Sequence, residues 1–136
     1  MPGPEEITPG SPTEWLQHAI SDLELAKIPL PPKVRPEALC FHAQQAAEKA
    51  LKAVLIAHGT SVPKTHNLRT LIDLLPPHLT PPPDVQEAVS LTDYAVASRY
   101  PGTSEAIEEE DRQEAISLAE AVILWADQVI KSAAPS

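Results

Sequence analysis

Four side chains in the stretch CFHAQQAAEKALKAVLIAHG (Cys40 to Gly59) have the chemistry to hold an anion: His42, Gln45, Lys49 and Lys52. On a helix they fall within about 80° of one another, so they share one edge. With Glu48 beside it, such an edge is either a solvated face or one wall of a groove for a phosphate, a nucleotide or a carboxylate-bearing partner. A second candidate lies in ASRYPG, where Arg99 and Tyr100 stand just before Pro101 ends a helical segment. An arginine there complements the negative end of the helix. A guanidinium at a mouth between helices is also a ready phosphate ligand.

Other pairings are poorer. Cys40 and His42 are two residues apart, about 200° around a helix, so they do not form a nucleophile pair; Cys40 reads as a small buried hydrophobe. Arg35 and His42 have a spacing that would share a helix face, but Arg35 precedes Pro36 and is pushed to extended geometry. The five histidines (His18, His42, His58, His66 and His78) contain no HxxxH or HExxH spacing and have no cysteine partners, so no metal site is expected. Glycines occur only at 3, 10, 59 and 102. No loop is therefore a glycine-rich phosphate cradle, which excludes Rossmann and P-loop nucleotide sites, and no cofactor is expected.

Elements that would position these residues follow from the proline pattern. Sixteen prolines in 136 residues mark stiff breaks, and helical periodicity fills the intervals. Ser11-Pro12-Thr13-Glu14 has the form of a capping box, opening a helix that carries Leu16, Ala19, Ile20, Leu23 and Ala26 and stops at IPLPPKVRP. The second helix runs from Pro36 to Gly59, about 36 Å, with a left-handed glycine cap. Its stripe of Leu39, Ala43, Ala46, Ala50, Val54 and Ala57, with Phe41 and Leu55 opposite, asks for more than one neighbour. A short third helix fits NLRTLIDLL (67–75), and a fourth runs from about Pro83 to Ser98. The last spans about Glu108 to Ser132, with an acidic first turn and two apolar stripes: Leu118, Val122, Trp125, Val129 and Ile116, Ile123, Ile130. The double stripe is either the surface of a well-buried helix or, in part, an oligomer face. The expected fold is all-α: an antiparallel up-and-down bundle of four long helices plus one short helix, over 12–133, after a flexible Pro-rich segment at 1–11.

The net charge of −9 argues against a general nucleic-acid binder. One cysteine excludes an intramolecular disulfide, and no apolar run is long enough for a bilayer. The start has no signal-peptide pattern, so a cytoplasmic protein is expected.

FHAQQAAEKALKAVLIAHG, PKTHNLRTLIDLL, YAVASRYPG and the acidic-to-apolar final helix, in that order, resemble the HEPN (higher eukaryotes and prokaryotes nucleotide-binding) family over roughly Glu14 to Lys131. The resemblance implies an all-α bundle, usually a homodimer. Its partner is often a minimal nucleotidyltransferase, in toxin–antitoxin or related modules. Some members are metal-independent ribonucleases in which an R-x4-6-H motif acts, arginine on the phosphate and histidine on the ribose hydroxyl. The matching arginine is Arg99, and no histidine follows it through Ala106. The resemblance therefore points to a non-catalytic nucleotide- or phosphate-binding module, with Arg99, Tyr100, His42, Gln45, Lys49 and Lys52 as its groove. The alternatives are a ribonuclease, acting on RNA, whose histidine comes from another helix, and a structural dimer without a ligand.

Overall fold

Prolines set the helix boundaries in the computed structural model, which describes residues 10–97 and 107–133. Helix α1 spans Pro12–Lys27, α2 Pro36–Ala57, α3 Leu68–Asp73, α4 Pro83–Glu87, α5 Thr92–Ala97 and α6 Glu109–Ala133, with a 3-10 turn at Ala88–Leu91 between α4 and α5. No strand occurs among the described residues, and no helix there is long and apolar enough to cross a membrane.

Caps match the sequence closely. Ser11 Oγ accepts from Glu14 N–H at 3.2 Å, while Glu14 Oε1 reaches back one residue beyond the usual capping box, to Gly10 N–H at 2.7 Å. Arg35 is extended (φ −88°, ψ 146°), as the following proline requires. Helix α2 ends in a Schellman motif: Thr60 N–H donates to Leu55 C=O at 2.9 Å and Gly59 N–H to Ile56 C=O at 3.0 Å. Gly59 carries the positive φ of 74° that this closure needs. Asn67 Oδ1 caps α3, accepting from Arg69 and Thr70 N–H. The acidic start of α6 also caps it, with Glu108 N–H donating to Asp111 Oδ2 at 2.8 Å.

One expectation is refined. The fourth helical segment is not a continuous α-helix, because it tightens to 3-10 at Ala88–Leu91. Ser90 Oγ donates to Glu87 C=O there, and Thr92 Oγ1 accepts Leu68 N–H at 3.0 Å, tying the tightened turn to the start of α3.

Helix α2 is the central beam. It packs along α1 and α6 and touches α3 and α5. Ala43, Ala46, Ala47, Ala50 and Ala53 are fully buried on it, and their small size lets both long neighbours approach closely. Leu16, Ala19, Leu23 and Ala26 of α1 and Ala115, Ala119, Val122, Ile123 and Ala126 of α6 complete the core. On α6, the Ile116–Ile123 side is buried, Trp125, Val129 and Ile130 are half-buried, and Leu124 is 64% exposed.

Arg112 clamps the first and last helices together. Its Nη1 donates to Ala26 C=O at 2.7 Å and Ile28 C=O at 2.9 Å, satisfying carbonyls at the end of α1. Its other nitrogens hold Glu109, and that hydrogen bond keeps the Glu109 carboxyl below its ordinary range. The start of α6 therefore lies at the end of α1. Since α1 runs antiparallel to α2, α6 runs in the same direction as α2 and packs beside it.

Gly59→Ala isolates the backbone contribution to the Schellman closure, since an added Cβ meets nothing within 4 Å. The expected loss is about 1 kcal/mol in chemical denaturation, from the left-handed conformation alone.

Candidate functional site

The polar edge of α2 is neither a solvated face nor a bare cationic wall. It is the seam between α1, α2 and the loop before α3, and each lysine on it has a carboxylate partner. At the α1 side, Asp22 Oδ2 accepts Lys49 Nζ at 2.6 Å, and His42 Nδ1 lies 3.0 Å from Asp22 Oδ1. At the α3 side, Glu48 is 4% exposed. Its Oε2 accepts Lys52 Nζ at 2.8 Å; its Oε1 accepts Gln44 Nε2 at 3.2 Å and Gln45 Nε2 at 3.4 Å and lies 2.7 Å from His66 Nδ1. Gln45 also donates to Gln44 Oε1 at 2.7 Å, and Gln44 donates to His66 C=O at 3.0 Å.

A carboxylate oxygen accepts, so in both histidine pairs Nδ1 carries the proton and donates. That fixes the ring orientation and leaves Nε2 as the nitrogen pointing away from the carboxylate. The arrangement is that of a histidine oriented by an acidic partner, found twice: His42 of α2 on Asp22 of α1, and His66 of the loop before α3 on Glu48 of α2.

Lys52 is nearly buried, with its Nζ 5.7 Å from the centre of the Trp15 ring. Trp15 also borders a surface cavity of about 290 Å³ with Gly10, Glu14, His18 and Lys49. The cavity thus gathers an indole, an imidazole, an ammonium and the Glu14 carboxylate beside the α1–α2 seam.

All four predicted residues of α2 belong to one network: His42 and Lys49 meet on Asp22, Gln45 and Lys52 on Glu48. Arg99 and Tyr100 lie outside the described residues. Arg35 and His42 do not form a couple, since Arg35 binds Glu37 at 2.5 Å and His42 binds Asp22. Cys40 is fully buried, and burial pushes its thiol up to about 12. Among the described residues there is no cluster of three or more metal-ligating side chains of His, Cys, Asp or Glu type.

Sequence reasoning missed Asp22, Gln44, Glu48 as an anchor, His66 and Trp15. A signal existed for three of them. Asp22 falls three residues after Ala19 and four before Ala26, on the inward stripe of α1. Gln44, Glu48 and Lys52 repeat every four residues in an alanine-rich helix.

Two outcomes follow. Glu48→Gln leaves the Lys52 ammonium buried without a counter-charge and should cost about 2–4 kcal/mol in urea denaturation; a loss under about 0.5 kcal/mol would mean that solvent screens the pair. Cys40 should resist iodoacetamide in the native protein at about pH 8, where an exposed thiol reacts readily, and become labelled only at the rate of unfolding.

Comparison with known proteins agrees with this architecture. The HEPN domain model matches residues 13–129. The crystal structure of TT1696 from Thermus thermophilus is similar at 30% identity with a TM-score of 0.77, covering 87% of this chain and 97% of that one. The crystal structure of ST0689, an archaeal HEPN homologue, is similar at 29% identity with a TM-score of 0.68, covering 88% and 98%. The search of curated proteins gave no match. A family model spanning nearly the whole bundle, joined to solved relatives of the same fold, places this chain in the HEPN family.

Proposed function

We propose that this HEPN chain is a non-catalytic binding module that takes a nucleotide or phosphate, forms a homodimer, and acts with a minimal nucleotidyltransferase. The observation that carries the ligand reading is the cavity bordered by Trp15, His18 and Lys49. An indole offers a stacking surface to a base, and the ammonium and imidazole offer charge-assisted hydrogen bonds to phosphate. Lys49 is anchored by Asp22, so it presents its remaining protons from a fixed position. The proposed groove also takes in His42, Gln45 and Lys52 of the same α2 edge, and the family resemblance adds Arg99 and Tyr100 to it. The dimer reading is supported by α6, where exposed Leu124 adjoins half-buried Trp125.

One observation favours the competing ribonuclease reading. His42 and His66 each have Nδ1 on a carboxylate, an orientation suited to proton transfer at Nε2. RNA cleavage in EDTA that is lost on His42→Ala would favour it over the binding module.

Calorimetric titration with ATP tests the preferred reading. The wild type should bind with a dissociation constant between about 1 μM and 1 mM, and Lys49→Gln should weaken binding about tenfold, or 1.4 kcal/mol. His18→Ala, on the exposed side of α1, should weaken it less. No heat at millimolar ATP, or equal binding by Lys49→Gln and Arg99→Ala, would overturn the proposal.

A further inference from the structure

The connection from α1 to α2 reads KIPLPPKVR, Lys27 to Arg35. It holds three of the chain's ten lysines and arginines and no acidic residue, in a protein of net charge −9. Its local charge is therefore opposite to that of the whole molecule. Its apolar side chains also face water: Ile28 and Leu30 are each 38% exposed, and Pro29, Pro32 and Val34 are exposed beside them.

The backbone of this strap is fixed. Ile28 has φ −60° and ψ 149°, the values of a polyproline II helix. Pro29, Pro31 and Pro32 lock their own φ near about −65°. Leu30 and Pro31 each precede a proline, which holds them extended. Ile28 to Pro32 is thus a short polyproline II segment. Such a helix has three edges, because it repeats every third residue. Ile28 and Pro31 share the anchored edge. Pro31 is half-buried, Ile28 N–H donates to Leu25 C=O at 3.4 Å, and Ile28 C=O accepts Arg112 Nη1 at 2.9 Å. Pro29 with Pro32 forms the second edge and Leu30 the third, and all three of these residues are exposed.

A tight turn ends the segment. Val34 N–H donates to Pro31 C=O at 3.1 Å, with Pro32 and Lys33 between them. Lys33 has φ 73°, the left-handed position of a type II turn that glycine fills without strain. The turn therefore holds an ammonium at its tip at a conformational cost. Lys33 has no carboxylate partner among the described residues. Arg35 pairs with Glu37, and Lys27 pairs with Glu120 at 3.5 Å. Both cations are more than a third exposed, and such pairs are weak enough to exchange for another carboxylate.

A preformed polyproline II segment loses little entropy on docking, and its proline edges fit grooves lined by aromatic side chains. Flanking cations select a groove with an acidic rim. An anionic lipid plane fits less well. Arg112 ties the start of α6 to Ala26 and Ile28, so Glu109 to Asp111 lie at the same end of the bundle and would face that plane. A narrow groove touches the strap alone.

We propose that Ile28–Pro32, with Lys33 and Arg35, is a docking epitope for a protein partner whose aromatic-lined, acid-rimmed groove grips polyproline II segments. The epitope is separate from the Trp15 cavity and independent of the nucleotide reading.

The full chain, immobilised, is challenged with a displayed library of SH3-type polyproline-binding domains, and the most enriched domain is titrated by calorimetry and by NMR of the chain. It should bind with a dissociation constant between about 1 μM and 1 mM, with amide shifts confined to the strap and its flanks. Leu30→Asp should weaken binding at least about tenfold with an unchanged melting temperature. Lys33→Gly should also weaken it, while leaving the melting temperature unchanged or higher because the left-handed strain is relieved. A purely structural turn would give the thermal effect without the binding effect. No enriched domain, equal binding by Leu30→Asp, or shifts centred elsewhere would overturn the proposal. So would binding to vesicles of anionic phospholipid, or self-association, that is lost in Leu30→Asp, since either assigns the strap to a different occupant.

Discussion

A carboxylate placed inside a helical bundle sets conditions on everything around it. Glu48 is almost wholly removed from water, and an unpaired charge there would cost several kcal/mol. Lys52, Gln44, Gln45 and His66 meet that demand from one turn above, one turn below and a separate loop. Because Gln44 also binds the carbonyl of His66, the loop is fastened by both its side chain and its backbone. Asn67 caps α3 immediately afterwards, so the position of the third helix follows from how Glu48 is neutralised. Asp22 plays the same part on the other side, fastening α1 to α2 through His42 and Lys49.

The alanine run of α2 explains why this polar seam can coexist with a close-packed core. The buried alanines pack against both α1 and α6, while the polar edge faces the α1 side and the loop before α3. A bulkier stripe would hold α6 further away and open the interior to water. In the observed packing the two lysines and two carboxylates are held in partly or fully desolvated positions, where small displacements have large electrostatic effects.

Much of the fold was legible in the sequence because its punctuation is chemical. Ser11-Pro12, Pro36, Gly59, Asn67 and Pro83 each act through local backbone constraints, and each falls at or beside a boundary of the structure. The 3-10 turn at Ala88–Leu91 was less legible, since it depends on Thr92 reaching Leu68, a contact between distant segments. The polar edge of α2 was legible by residue type and helix face but not by partner. His42, Gln45, Lys49 and Lys52 do share an edge. Which carboxylates neutralise it depends on the rotation of α1 about its axis and on the path of the loop at His66, neither of which a single helix wheel contains.

The Arg112 clamp has a consequence for how the chain reaches its final state during synthesis. The carbonyls it satisfies precede it by 86 and 84 residues. A ribosome adding about 5–20 residues per second therefore leaves the end of α1 waiting roughly 4–17 s for its guanidinium. Helices α1 and α2 can pair as a hairpin through Asp22 in that interval, but the bundle closes only when the last helix emerges. The nascent chain is thus a half-built cradle whose latch is made last.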